Sequence, residues 1–394
     1  MVAEMQPFPR DEYVYRIADA KQRMEAAGFD VLLITDPANM NYLTGYDGWS
    51  FYTPQVVVLA LKEELPIWIG RGMDANGARA TTFLPDSHIV PYPDHYVQAA
   101  DKHPMNYVAG EMRRMGLAKG TVALEMDSYY FSPMAYETLR HDLPDVTWKD
   151  SGLLVNWVRS VKSPRELAYM NQAARIVEKV METGIEAIRP GVRQCDAVAQ
   201  IYHAQISGTE DFGGDYPSIV PMLPTGVETS TPHITWRDAP YKEGEATILE
   251  LAGCRLRYHC PMARTLFLGK PTQKIKDTAE IVVEGLNSAL DTARPGLTCE
   301  DVEATWREAI SRHGIIKESR IGYSTGLNYP PDWGEHTMSL RPGDRTELQT
   351  NMTFHMICGI WEADWGIEIS ECFRITETGA QPFCNFPRQL FVKP

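Results

Sequence analysis

Apolar positions in the first 150 residues alternate between two periods. Between residues 11 and 28, Tyr15, Ile17, Ala18, Met24 and Ala27 recur at helical spacing, and Gly28 follows as a stop. DVLLITD (30–36) reads as a buried strand, and TPQVVVLALKEELPIWIG (53–70) reads as two strands joined by a charged turn. A helix at GMDANGARATTF (72–83) and a strand at SHIVPYP (87–93) follow. The alternation continues through VAGEMRRMG, TVALEMD, SPMAYETLRHDLP and TWKD. Helices interleaved with short apolar strands predict an α/β domain here.

The texture changes near residue 160. Ser163-Pro164 supplies an N-cap and a first-turn proline to one long amphipathic helix. Its apolar set is Leu167, Met170, Ala173, Ala174 and Val177, and Arg189-Pro190-Gly191 closes it. The pattern then predicts a helix (193–207), strands (247–256 and 262–268), two helices (273–293 and 299–313) and a strand-rich end (352–376). The expected domains are 1–158 and 159–394. The helix-helix-strand-strand order, met twice, hints at two similar halves in the second.

Composition narrows the function classes. The 394 residues carry 38 basic and 52 acidic side chains, a net charge of −14. That balance argues against nucleic acid and against anionic membrane surfaces as partners. The start, MVAEMQPFPRDEYVYR, has no basic stretch followed by an apolar core, and VVVLAL (56–61) is too short to span a bilayer. The seven cysteines form no C-x-x-C pair and are odd in number, so reduced thiols in a cytoplasmic protein are expected.

One segment carries candidate chemistry, ILELAGCRLRYHCPMARTLFLG (248–269). Glu250 stands there inside an apolar strand and shares a face with Ala252. A buried carboxylate without a partner has a raised pKa, which a bound cation would lower again. The structural alternative is an ion pair with Arg255, Arg257 or Arg264. Glu368, in GIEIS, shares a face with Ser370 and is a second carboxylate candidate.

The order of these segments resembles the pita-bread family of creatinase, aminopeptidase P and prolidase over nearly the whole chain. The similar stretches include GFDVLLITDPANMNYLTGY, the linker and helix from Val158 to Val192, TSTPHI, EGEATILELAG, ARTLFLG, GYSTGL, NMTFHMICGIW and GIEISECFRITETG. The resemblance implies an α/β creatinase N-terminal-like domain and an α+β pita-bread catalytic domain. It also implies a homodimer in which Trp49, Phe51 or Tyr52, from YDGWSFYTP, walls the partner's pocket. The five positions that bind two metal ions in the peptidase branch fall on Glu250, Pro261, Tyr323, Ile357 and Ser370, the last shifting to Glu371 if the alignment slips by one. Only the first keeps a carboxylate at its aligned position, so neither a metal nor a cofactor is expected.

VETSTPHITW (227–236) and GLNYPPDWGEHTMSLRPGD (326–344) resemble the ectoine hydrolases of that family. These open the cyclic amidine of ectoine to an N-acetyl-2,4-diaminobutyrate; hydroxyectoine is the related substrate. The resemblance makes His233 the substrate-side histidine and acid–base. Glu250 then attacks the amidinium carbon, or only holds the cation while His233 activates water. Glu368, Tyr323, Trp333, Glu335 and His336 are expected to bind substrate. His355 is a weaker candidate, since strand neighbours can satisfy it, and Arg341 is a candidate for the substrate carboxylate. The alternatives are a creatinase-like amidinohydrolase of another guanidino or amidino compound, and a pita-bread protein that binds without catalysis.

Overall fold

The computed structural model describes residues 6–394; Met1–Met5, part of the start read above as lacking a leader, lie outside them. The chain forms two compact units, Met1–Arg159 and Ser160–Pro394. No helix among the described residues is long and apolar enough to cross a membrane.

The first unit runs α1 (Arg10–Ala27), β1 (Val31–Ile34), α2 (Pro37–Thr44), β2 (Val56–Ala60), β3 (Ile67–Arg71), α3 (Ala75–Thr81), β4 (Ile89–Tyr92), α4 (Pro104–Arg114), β5 (Gly120–Leu124), α5 (Pro133–Asp142), β6 (Val146–Asp150) and α6 (Leu154–Val158). Its six strands lie in the order β4-β3-β2-β1-β5-β6. β1 pairs antiparallel with β2 and parallel with β5. β1 and β2 are buried at every position, which explains their unbroken apolar runs. α2 has no counterpart in the sequence reading. It is buried at every position, polar Asn39 and Asn41 included, so it shows no amphipathic stripe.

The second unit opens with α7 (Pro164–Ala187) and α8 (Gln194–Ser207). β7 (Ala246–Arg255) and β8 (Tyr258–Leu268) follow, then α9 (Gln273–Thr292) and α10 (Cys299–Ser311). The end holds β9 (Gly322–Thr325), β10 (Gly334–Leu340), β11 (Thr353–Trp361), β12 (Gly366–Ile375), β13 (Ala380–Pro382) and β14 (Phe391–Lys393). One sheet has the order β14-β8-β7 and the other β10-β9-β11-β12-β13. Side chains join them where β8 meets β12. The Thr265 hydroxyl donates to the Glu368 carbonyl and accepts from the Glu368 N–H, both at 2.9 Å. Two rows along, the Ala263 N–H donates to Ser370 Oγ at 2.6 Å.

α7 starts at a capping box: Ser163 Oγ accepts from the Glu166 N–H, and Glu166 Oε2 accepts from the Ser163 N–H. Its buried face includes Met170, Ala173, Ala174 and Val177 and lies on β7. The approach is close because β7 presents Gly253. A Cβ there would stand 2.0 Å from the Ala173 carbonyl oxygen and 2.7 Å from the Val177 nitrogen. Both are backbone atoms of a long helix and have nowhere to go. Gly253→Ala should therefore cost about 3 kcal/mol, the upper range for overpacking. Urea unfolding checks this, and a loss below about 1 kcal/mol would show that α7 yields.

Candidate active site

Two carboxylates, one from each sheet of the second unit, are buried within range of each other's charge. Glu250 sits mid-β7 in register with Ala263 of β8. Its N–H donates to the Met222 carbonyl at 3.0 Å, and the Met222 N–H donates back at 3.1 Å. Glu368 of β12 is fully buried, and neither of its carboxylate oxygens has a hydrogen-bond partner among the described residues. Burial, then the charges of Glu368 and Asp332, push the Glu250 carboxyl well above the usual range. Burial pushes Glu368 up to about 7, against the opposing field of Lys317.

The strand register gathers further groups. Tyr323 is in register with His355, Ile357 with Ser370, and Gly359 with Glu368, so all six face one way. The Trp333 indole N–H donates to Tyr323 Oη at 2.6 Å, and Tyr323 Oη stands 3.2 Å from His355 Nδ1. His355 Nε2 is 2.8 Å from Ser370 Oγ. A hydrogen-bonded chain thus runs from Trp333 to Ser370. Burial holds His355 down to about 3, so its ring is neutral, with one nitrogen donating and the other accepting.

The other expected residues are placed differently. His233 is exposed, and no hydrogen bond joins it to either carboxylate. Its loop is nevertheless pinned to both of their strands. The Leu223 N–H, next to Met222, donates to the Thr235 carbonyl at 2.8 Å, and the Gly366 N–H donates to Thr229 Oγ1 at 3.0 Å. Glu335 is buried and ion-paired with Lys162 at 2.8 Å. His336 is exposed and lies 2.9 Å from Asp332. Phe51 packs on Trp49 and Tyr130 in the first unit, and Tyr52 is 68% exposed. Arg341 is exposed.

The ion-pair alternative for Glu250 has no support. Arg264 donates to the carbonyls of Ala263, Ser370, Phe386 and Pro387 and pairs with Glu371 at 3.6 Å. Glu371 also accepts from Arg388 at 2.8 Å, so it serves this arginine cluster on the opposite face of β12.

Two residues escaped the sequence reading. Lys317 donates to the Ile357 carbonyl at 3.4 Å and lies 4.9 Å from the Trp361 ring centre. Nothing in the sequence around a lone lysine in a connecting loop marks it. His259 is buried on the Glu250 face of β8, within the very segment that drew attention. Alternation along the strand from Pro261 could have found it.

At the five positions where relatives bind metal, Pro261 and Ile357 offer no donor. Ser370 is hydrogen-bonded to His355 and to the Ala263 N–H, and Tyr323 to Trp333 and His355. These residues do not supply a divalent-cation ligand set. Among the described residues no three or more His, Cys, Asp or Glu side chains are grouped to hold a metal ion.

Because the folded chain holds the Glu368 proton up to about 7, against an ordinary value of 4.5, protonation favours folding. That contribution is complete below the unfolded value and is lost as pH rises through about 7. Between about pH 4 and pH 8, wild type should lose on the order of 3 kcal/mol relative to Glu368→Gln. Urea unfolding at both pH values tests this; equal pH slopes in the two proteins would refute it.

The creatinase/prolidase N-terminal domain model matches residues 16–161, and the metallopeptidase family M24 model matches residues 168–377. The chain is 46% identical over 400 residues to the ectoine hydrolase of Halomonas elongata, covering 100% of both chains. It is also 46% identical over 386 residues to an uncharacterized hydrolase/peptidase of Sinorhizobium fredii, covering 98% of both. Among solved structures, the prolidase of Thermococcus sibiricus superposes with a TM-score of 0.84 at 20% identity, over 97% of this chain and 99% of the other. A dipeptidase of Mycobacterium ulcerans gives 0.81 at 22%, over 98% and 99%. At such identities the solved structures speak for the pita-bread fold alone.

Proposed function

The chain belongs to metallopeptidase family M24, with a creatinase/prolidase N-terminal domain, and from that premise we propose that it is an ectoine hydrolase. The observation that carries the reading is the pair Glu250 and Glu368: two buried carboxylates whose charges meet, one of them without a hydrogen-bond partner among the described residues. A buried pair of this kind holds at least one proton when empty and ionises beside a cation. An amidinium is such a cation, and the full-length relative is an ectoine hydrolase.

In the proposed reaction, amidinium binding leaves Glu250 ionised, and one carboxylate oxygen adds to the amidinium carbon. The ring C–N bond breaks, and the departing nitrogen takes a proton from His233. An imidate ester on Glu250 remains. Water adds to its carbon, Glu250 leaves, and the water oxygen becomes the acetamide oxygen of N-acetyl-2,4-diaminobutyrate. Glu368 balances the amidinium charge throughout. His233 is exposed, and its loop is tied through Thr235 to Leu223 and through Thr229 to Gly366; in this reading it closes over the substrate. The poor donor set at the former ligand positions supports a reaction without a metal.

Turnover of ectoine should survive exhaustive chelation, and loss of activity that added divalent ions restore would overturn the metal-free reading. Glu250→Gln should lower kcat by about 1,000-fold or more and abolish an acid-quenched adduct on the peptide containing Glu250, visible by mass spectrometry in wild type. His233→Ala should lower kcat about 100-fold with the adduct still formed. Substantial turnover by Glu250→Gln, with no adduct in wild type, would favour direct attack by water.

We further propose a homodimer, supported by the apolar surface that Tyr52 and Trp49 leave uncovered, 68% and 57% exposed. Phe51 and Tyr52 would then wall the partner's pocket. Sedimentation at micromolar concentration should give twice the chain mass; a fully active monomer would refute the assignment.

A further inference from the structure

We propose that His259 is the anchor for the substrate's carboxylate: its Nδ1–H receives that group while the amidinium lies on Glu250 and Glu368. The inference rests on the substrate being a zwitterionic cyclic amidine.

The tautomer is set by the backbone. The Ser218 N–H donates to His259 Nε2 at 2.9 Å, so Nε2 is the acceptor and the ring proton of the neutral imidazole sits on Nδ1. That nitrogen is buried and has no hydrogen-bond partner among the described residues. Buried N–H groups are almost always matched, so one without a hydrogen bond on the Glu250 face of the ladder points to an acceptor that arrives with a ligand.

The ladder places it to do so. Glu250 is in register with Ala263, Ala252 with Pro261, and Cys254 with His259, so Glu250 and His259 face the same side. Four residues separate their rows, about 13 Å of strand at the usual rise. Between them on this face of the ladder stand Ala252 and Pro261, short side chains without donors or acceptors. Trp333 walls the gap, its ring centre 6.5 Å from that of His259 and 6.2 Å from that of His355. A six-membered ring with a hydrogen bond of about 3 Å at either end fits this span.

The charge distribution agrees. At one end are the two carboxylates. At the other, Arg257 lies over the Tyr216 ring at 3.7 Å and acts on His259 with a positive field. Asp332 also faces this region, but it is tied to His336 at 2.9 Å and to the Gly334 N–H at 2.9 Å. Burial holds His259 down to about 4, against the backbone carbonyls of Gly326 and Arg257 and the charge of Asp332, which push it up, so near neutral pH it is an uncharged donor and not an acid–base catalyst. A ligand spanning these two ends would be matched better as a zwitterion than as a simple amidinium.

The test compares ectoine with the same methyl-tetrahydropyrimidine ring lacking the carboxylate. Wild type should prefer ectoine by at least about 100-fold in kcat/KM. His259→Phe should reduce that preference to within about threefold, through KM for ectoine, with a much smaller effect on the carboxylate-free ring. His259→Asn, which keeps an N–H near the Nδ1 position, should retain a preference of at least about tenfold. Equal losses on both rings in the Phe variant would make His259 a packing residue and overturn the proposal; so would an undiminished preference. Should His259→Phe fail to fold, isotope-labelled histidine NMR of Glu250→Gln decides. Ectoine should move the His259 Nδ1–H proton downfield and the carboxylate-free ring should not; identical responses would overturn the proposal. A wild-type chain that turns over neither ring overturns the substrate reading and this proposal together. Ectoine turnover with no preference over the bare ring overturns this one alone.

Discussion

Everything at the site depends on how β8 is fastened to β12. The two strands belong to different sheets, and side chains make the junction. Thr265 bonds both backbone groups of Glu368, Ser370 takes the Ala263 N–H, and the Arg264 guanidinium reaches the Ser370 carbonyl at 2.6 Å. Arg264 is fully buried, which is costly for a charge without compensation. Glu371 supplies the counter-charge, and four backbone carbonyls fill the remaining donors. Strand alternation then divides the labour: Glu371 turns to the arginines, and Glu368 and Ser370 turn to the other side. Because Glu250 lies on β7, one ladder from β8, the same junction sets its distance from Glu368.

Burying two carboxylates in range of each other's charge is unfavourable, and the structure leaves the cost in place. Glu250 meets the field of Glu368 and Asp332, while Glu368 has only the partial relief of Lys317. The neighbouring groups do not relieve it. Tyr323, His355 and Ser370 satisfy one another in a closed chain, and Pro261 and Ile357 are apolar. Such a site is poised for a cation, because ionisation and cation binding are the same event.

Much of this could be read from the chain, for identifiable reasons. The amphipathic face of α7, its capping box and the apolar strands 246–255 and 258–268 carry strong periodic signals. α2 was invisible because a helix buried on all sides has no polar face. Glu250 stood out because a carboxylate in an apolar strand breaks the pattern. Glu335 did not reveal its role, since its partner Lys162 lies 173 residues away. His259 and Lys317 were passed over for a similar reason. What distinguishes them is the partner each lacks or holds in three dimensions, an unmatched Nδ1 in one case and a carboxylate's field in the other.

Pro261 and Ile357 deserve weight beyond the donors they lack. By placing hydrocarbon at former ligand positions, they offer the Glu250 carboxyl neither a donor nor a bound cation there. Under the proposed chemistry this makes the nucleophile conditional. Burial holds the carboxyl's proton more tightly than usual, which makes it a poorer nucleophile; beside an amidinium it ionises and attacks. A neutral amide of the same shape brings no positive charge, so it neither ionises the pair nor presents an activated carbon. The apolar replacements thus do two things with one change. They remove the means of polarising a peptide carbonyl, and they tie the charge state of Glu250 to a cationic substrate.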